Sequence, residues 1–203
     1  IKVRIMRNVL ILIALLAKVC AADFYPTLAF ASVQAALDAA TDGDTVHLPS
    51  GTSPEWTSNL LLPTKSITLR GAGAGQTILV RNTTGNNSTP LISNDGTVSG
   101  SKFYDISGFT INTVNPAPYG LIFLSRNSCE GYPKVQFRVH GLVVNTTASD
   151  GTGNSRAITI GAMYGLIDSN TFNCTSSLGG QILTITSDAT ISTSNAFHVP
   201  QSL

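Results

Sequence analysis

The sequence predicts an all-β fold: a right-handed single-stranded parallel β-helix, or solenoid, with a short N-terminal capping α-helix. Three observations predict it. From Thr45 onward the chain is a succession of short β-branched runs separated by Gly, Asn, Ser and Pro, with no helical period between them. Four of those runs align without gaps at variable spacing, as stacked units do. A single amphipathic helical pattern precedes them all.

Composition excludes several classes. Of 203 residues, 42% are hydrophobic and 11% charged, whereas disorder needs low hydrophobicity and high net charge. This length suits one domain with a real core. The formal net charge is +1 and the Lys and Arg residues are scattered. No summed field therefore favours nucleic acid or an anionic membrane surface.

Residues 1–21 read as a secretory signal peptide. Lys2, Arg4 and Arg7 precede an apolar run from Val9 to Ala17, and small residues follow at Cys20, Ala21 and Ala22. The run is shorter than the roughly 20 apolar residues that span a bilayer, so no stable membrane insertion is expected after cleavage. Translation could start at Met6, and cleavage is expected after Ala21 or Ala22. A lipidated Cys20 is the weaker reading, because Lys18 and Val19 stand where small residues belong. The expected destination is extracellular or periplasmic. Two cysteines then remain, Cys129 and Cys174. An oxidising compartment permits a disulfide between them, and two small buried side chains is the other reading. Their spacing does not resemble a zinc site.

Residues 22–44 comprise a leader strand and the capping helix. Phe30, Val33, Ala36, Leu37 and Ala40 recur at helical spacing, Ser32 is placed to cap the N-terminus, and Gly43 supplies a left-handed stop. Residues 45–203 make the β-helix. The aligned segments are Thr68 to Gly71, Asp105 to Asn112, Arg138 to Asn145 and Leu166 to Asn173. Their third positions, Arg70, Ser107, His140 and Asp168, step by 37, 33 and 28 residues, which fits fixed strands joined by loops of free length. Stacking about 4.8 Å apart turns equivalent positions into columns. Leu69, Ile106, Val139 and Ile167 form one expected inward column, and Ile111, Val144 and Phe172 another. Asn112, Asn145 and Asn173 would stack as an amide ladder at a bend, a structural rather than a functional feature. The chain closes on Ala196 to Leu203 without an amphipathic cover for the open end, so a truncated C-terminus is expected.

The stretch ASVQAALDAATDGDTVHLPSGT, followed by SITLRGAGAGQTIL, resembles the opening of pectin-lyase-like β-helix proteins, and ISGFTIN and YGLIDSNTFN resemble their internal rungs. The resemblance covers most of the chain after residue 22. It implies extracellular polysaccharide or a cell-surface glycan as partner, with lyase or hydrolase activity as the enzymatic option and calcium as the only cofactor suggested. The sequence departs from the enzymes of that superfamily. It has no Asn-Thr-Asp segment with paired aspartates, and Val139-His140-Gly141 lacks the first glycine of a Gly-His-Gly. Nor does it show a calcium-binding acidic cluster beside an arginine base.

Candidate chemistry therefore rests on columns. His140 and Asp168 stand at equivalent positions on consecutive turns, where a carboxylate could raise and orient an imidazole for acid–base work. A solvated surface pair of about 0–1 kcal/mol is the bland alternative. Arg70 and Trp56 are the candidate substrate contacts, the one as a cation in a turn, the other as a loop aromatic able to stack on a sugar or to pack against a rung. Gly71 to Gly75 superficially suggests a nucleotide loop, but no helix follows. The sequons at Asn82, Asn87, Asn145 and Asn173 matter only in a glycosylating host. Two functions compete: a protein acting on or binding polysaccharide, and a non-catalytic adhesion or structural solenoid used as a spacer.

Overall fold

A computed structural model describes residues 21–82, 89–94, 96–98, 100–114, 121–125, 135–146, 156–174, 181–186 and 190–198. Residues 1–20 of the proposed leader, the sequon at Asn87, Cys129 and the C-terminal tail 199–203 lie outside those residues, as does the side chain of Cys174.

Among the described residues the first elements are β1 (Asp23–Phe24) and one helix, α1 (Phe30–Ala39), and the other named elements are strands. The chain then lays down β2 (Asp44–Leu48), β3 (Gly51–Trp56) and β4 (Leu60–Leu62), returns for β5 (Ile67–Gly71), β6 (Thr77–Arg81) and β7 (Ile92–Asn94), and returns again for β8 (Phe103–Ser107), β9 (Thr110–Thr113) and β10 (Ile122–Ser125). The same order repeats in β11 (Gln136–His140), β12 (Val143–Thr146) and β13 (Arg156–Gly161). The long strand β14 (Tyr164–Cys174), β15 (Gln181–Thr186) and β16 (Thr190–His198) complete the series. Every named strand pairing is parallel, in an 11-stranded and a 5-stranded sheet. Each return adds a strand beside its predecessor, an arrangement compatible with a parallel β-helix.

The register reproduces the columns. Leu69 faces Ile106, Ile106 faces Val139, and Val139 faces Ile167; all four are buried. Ile111, Val144 and Phe172 form the second buried column. Parallel strands with apolar side chains on the covered face account for this core. The Asn ladder also forms: Asn145 Nδ2 donates to Asn112 Oδ1, and Asn173 Nδ2 donates to Asn145 Oδ1, both at 2.8 Å. It does not mark a left-handed bend, because the three residues lie within β9, β12 and β14. The bend comes earlier, at Gly108 (φ 73°), Gly141 (φ 61°) and Ser169 (φ 56°), one residue after the last three of the four aligned third positions.

Two helix details differ from the sequence reading. The N-cap is Ala29, without a side-chain cap, and Ser32 lies inside the helix with its Oγ accepting from Thr27 N–H at 3.1 Å. Starting at Phe30 lets its ring meet Trp56 edge-on at 5.6 Å, and that packing outweighs the cap preference. At the other end Ala40 ends the helix in extended backbone, and Gly43 (φ 91°) turns the chain into β2 instead. Lys65 donates to the carbonyls of Asp38 and Ala40, supplying the positive charge that a helix C-terminus favours.

Candidate functional site

The outward face of β1, β2, β5, β8, β11 and the first half of β14 carries the polar side chains. Alternation along each strand puts every second residue on this face, and the register arranges them in two adjacent columns. One runs Asp23, Thr45, Thr68, Asp105, Arg138 and Leu166. The other contains His47, Arg70, Ser107, His140 and Asp168, of which Ser107 is buried.

The sequence alignment thus placed His140 and Asp168 opposite each other, as expected. They are nevertheless not hydrogen-bonded partners. Arg138 holds Asp168 in a two-pronged pair, Nε to Oδ1 at 3.0 Å and Nη2 to Oδ2 at 2.9 Å. His140 Nε2 bonds Asp105 Oδ1 at 3.0 Å. The hydrogen bonds from Arg138 hold the Asp168 carboxyl below the usual carboxylate range, against the opposing effect of burial. The same hydrogen bonds, and after them the negative charge of Asp168, keep the Arg138 guanidinium more firmly protonated. Asp168 is therefore committed to an arginine, and the imidazole is oriented by a different aspartate than the sequence suggested.

These pairs share one diagonal. Asp105 bonds His140 of the next strand, Arg138 bonds Asp168 of the next strand, and at the N-terminal end Asp23 bonds His47 at 2.8 Å in the same sense. Long side chains reach diagonal neighbours across a sheet readily. The corresponding diagonal neighbour of Arg70 is Thr45, which bears no charge. Among the described residues no carboxylate pairs with Arg70. It lines an open cleft of about 300 Å³ together with Tyr25, Pro26, His47, Pro49 and Ala72. Tyr25 is 76% exposed and stacks on His47, ring centroids 4.9 Å apart and nearly parallel.

A second, shallower dent of about 230 Å³ lies further along the face between Phe103, Gln136, Arg138, Tyr164 and Leu166. Its floor is Gly165, where a Cβ would come within 2.2 Å of the Phe137 carbonyl oxygen.

Trp56 is not on this face and is not in a loop. It ends β3, is 1% exposed, and donates its indole N–H to the Leu28 carbonyl at 3.1 Å. A ring closed between helix and strand offers no surface to a sugar. The aromatic groups that do reach solvent, Tyr25, Phe103 and Tyr164, were missed, as were Asp23, His47, Asp105 and Arg138. Asp105, Arg138 and Leu166 were the first letters of the aligned segments, two residues before the positions chosen, and the same period would have revealed a second outward column. Among the described residues no group of His, Cys, Asp or Glu is arranged to hold a metal ion. Comparison of the chain with family models, curated proteins and solved structures finds no match. What the fold and face define is thus an all-β protein of stacked parallel strands with one helix and a polar, aromatic-bordered sheet surface.

Proposed function

We propose that this chain is a right-handed parallel β-helix of the pectin-lyase-like kind, exported from the cell, that binds polysaccharide along the outward face running from β1 to β14. The observation that carries the reading is the unpaired Arg70 beside exposed Tyr25 in the N-terminal cleft. A sugar ring presents an apolar face suited to an aromatic platform and hydroxyls or carboxylates suited to a guanidinium. The Phe103 and Tyr164 dent offers a second contact on the same face. Three strand spacings separate β5 from β14, about 14 Å at 4.8 Å each, a span for an oligosaccharide rather than a single sugar.

A glycan array probed with the intact protein tests this. Retention of an extended glycan is expected, with Tyr25→Ala and Arg70→Ala each weakening it about tenfold, an amount in keeping with one lost ring or charge contact. Absence of any retained glycan, or variants that bind like the parent, would overturn the reading and favour the spacer or adhesion role. Release of unsaturated uronate from a bound glycan would add lyase activity to binding.

A further inference from the structure

We infer that the leader is removed between Ala21 and Ala22, and that the new α-ammonium of Ala22 becomes the counter-ion of the buried carboxylate of Asp44. The inference rests on the reading of residues 1–21 as a signal peptide and is independent of glycan binding.

The small-residue pattern admits cleavage after Ala21 or after Ala22, and by size Cys20, three places before the second bond, suits it better than Val19, three places before the first. The fold points to the first. Asp44 is 2% exposed, and its Oδ1 accepts the backbone N–H of Ala22 at 2.7 Å. Its Oδ2 accepts from Thr41, from the backbone N–H at 2.6 Å and from the hydroxyl at 2.9 Å. The Ala22 carbonyl in turn accepts from Thr45 N–H at 2.9 Å. Both polar groups of Ala22 are thus used to fasten the chain to the start of β2, although Ala22, like Ala21, is exposed.

Among the described residues no lysine, arginine or histidine touches Asp44 in an ion pair, although the charge of Lys65 acts on it from farther off. A buried carboxylate satisfied only by neutral donors is improved by a cation at the same distance. Hydrolysis of the Ala21–Ala22 bond by a signal peptidase provides one without moving an atom of the fold. Water adds across the peptide bond, Ala21 leaves as a carboxylate on the leader, and the Ala22 nitrogen takes up the proton as an ammonium 2.7 Å from Oδ1. Hydrolysis one bond later would remove both Ala22 groups and leave Oδ1 without its donor.

The experiment is export of the full chain, leader included, from a secretory host, followed by mass determination of the N-terminus and of its reactivity. A mature chain beginning with Ala22 is expected. Its terminal amine should react with an acylating reagent at neutral pH at least tenfold more slowly than a free alanyl peptide, because the ion pair keeps it protonated. Asp44→Asn should restore the fast rate. An N-terminus at Asp23, retention of the leader, or an Ala22 amine as reactive as the free peptide would each overturn the inference. Should Asp44→Asn fail to accumulate, Asp44→Glu serves in its place, with a rate between those of the parent and the free peptide expected.

Discussion

The N-terminal and C-terminal halves of one sheet face carry the same residue types and use them differently. Around β8, β11 and β14 the charges satisfy one another: Asp105 with His140, Arg138 with Asp168. Around β2 and β5 the aspartate–histidine pair recurs as Asp23 with His47, but Arg70 is left over. The difference comes from a single column. The position diagonal to Asp168 holds Arg138, whereas the position diagonal to Arg70 holds Thr45. A cation on such a parallel-sheet face is available to a ligand only where the preceding strand fails to supply its partner, so an arginine there is informative through its neighbour rather than through itself.

The strongest way to break the contrast is to overpack the strand beneath the C-terminal dent. Gly165→Ala drives a methyl group into the Phe137 carbonyl and ring, at 2.2 and 2.6 Å, and both belong to a packed rung. A loss of about 3 kcal/mol is expected, the upper end for overpacking, or about 10 °C in Tm for a domain of this size. Thermal unfolding followed by circular dichroism measures it, and an unchanged midpoint would show that the strands at this dent are not packed as described.

The contrast sharpens if the N-terminal half can be made to resemble the C-terminal one. Thr45→Asp puts a carboxylate on the diagonal of Arg70. Glycan affinity should fall about tenfold, as for Arg70→Ala, equivalent to about 1.4 kcal/mol, while stability changes by less than about 0.5 kcal/mol. Affinity that survives the substitution would mean that Arg70 was never the contact.

The bend column offers a third comparison. Gly108 and Gly141 occupy left-handed backbone without strain, but the equivalent residue of β14 is Ser169 at φ 56°. A side chain there costs about 1 kcal/mol, so Ser169→Gly is expected to stabilise the protein by somewhat less, the glycine also loosening the unfolded chain. Chemical denaturation would register it as a higher midpoint at constant slope.

The parts of this structure legible in the sequence are those forced by stacking. An inward column must be apolar on every turn, so Leu69, Ile106, Val139 and Ile167 announce themselves, and the Asn ladder does so by identity. Partners on the outward face are another matter. Register puts His140 opposite Asp168, but reach along the diagonal decides which atoms meet, and it pairs each with a residue two positions off. For Trp56 the sequence offered packing as well as sugar stacking, and packing is what occurs, but its partners were not legible: the ring meets Phe30 at the start of the helix and the Leu28 carbonyl just before it. No local pattern around Ser53 to Trp56 encodes that encounter.

The smallest effect expected is also the one that tests the diagonal most directly. Asp168 titrates below the ordinary carboxylate range in the folded chain because Arg138 bonds its charged form. Its contribution to stability is therefore fully present above the unfolded value, about 4, and fades as pH falls through the lower folded value. Asp168→Asn removes that contribution, so parent and variant should differ at pH 7 and converge once the pH lies below the lowered folded value. The gap will be modest, since the Arg138 side chain is 41% exposed and water competes for it. The variant must still lose stability in acid through Asp42, lowered by its bond to Lys102, and through Asp44, where hydrogen bonds outweigh burial. A pH-independent gap between the two proteins would mean that asparagine disturbs packing rather than charge. No gap at any pH would mean that Arg138 and Asp168 lie near each other without holding the strands together.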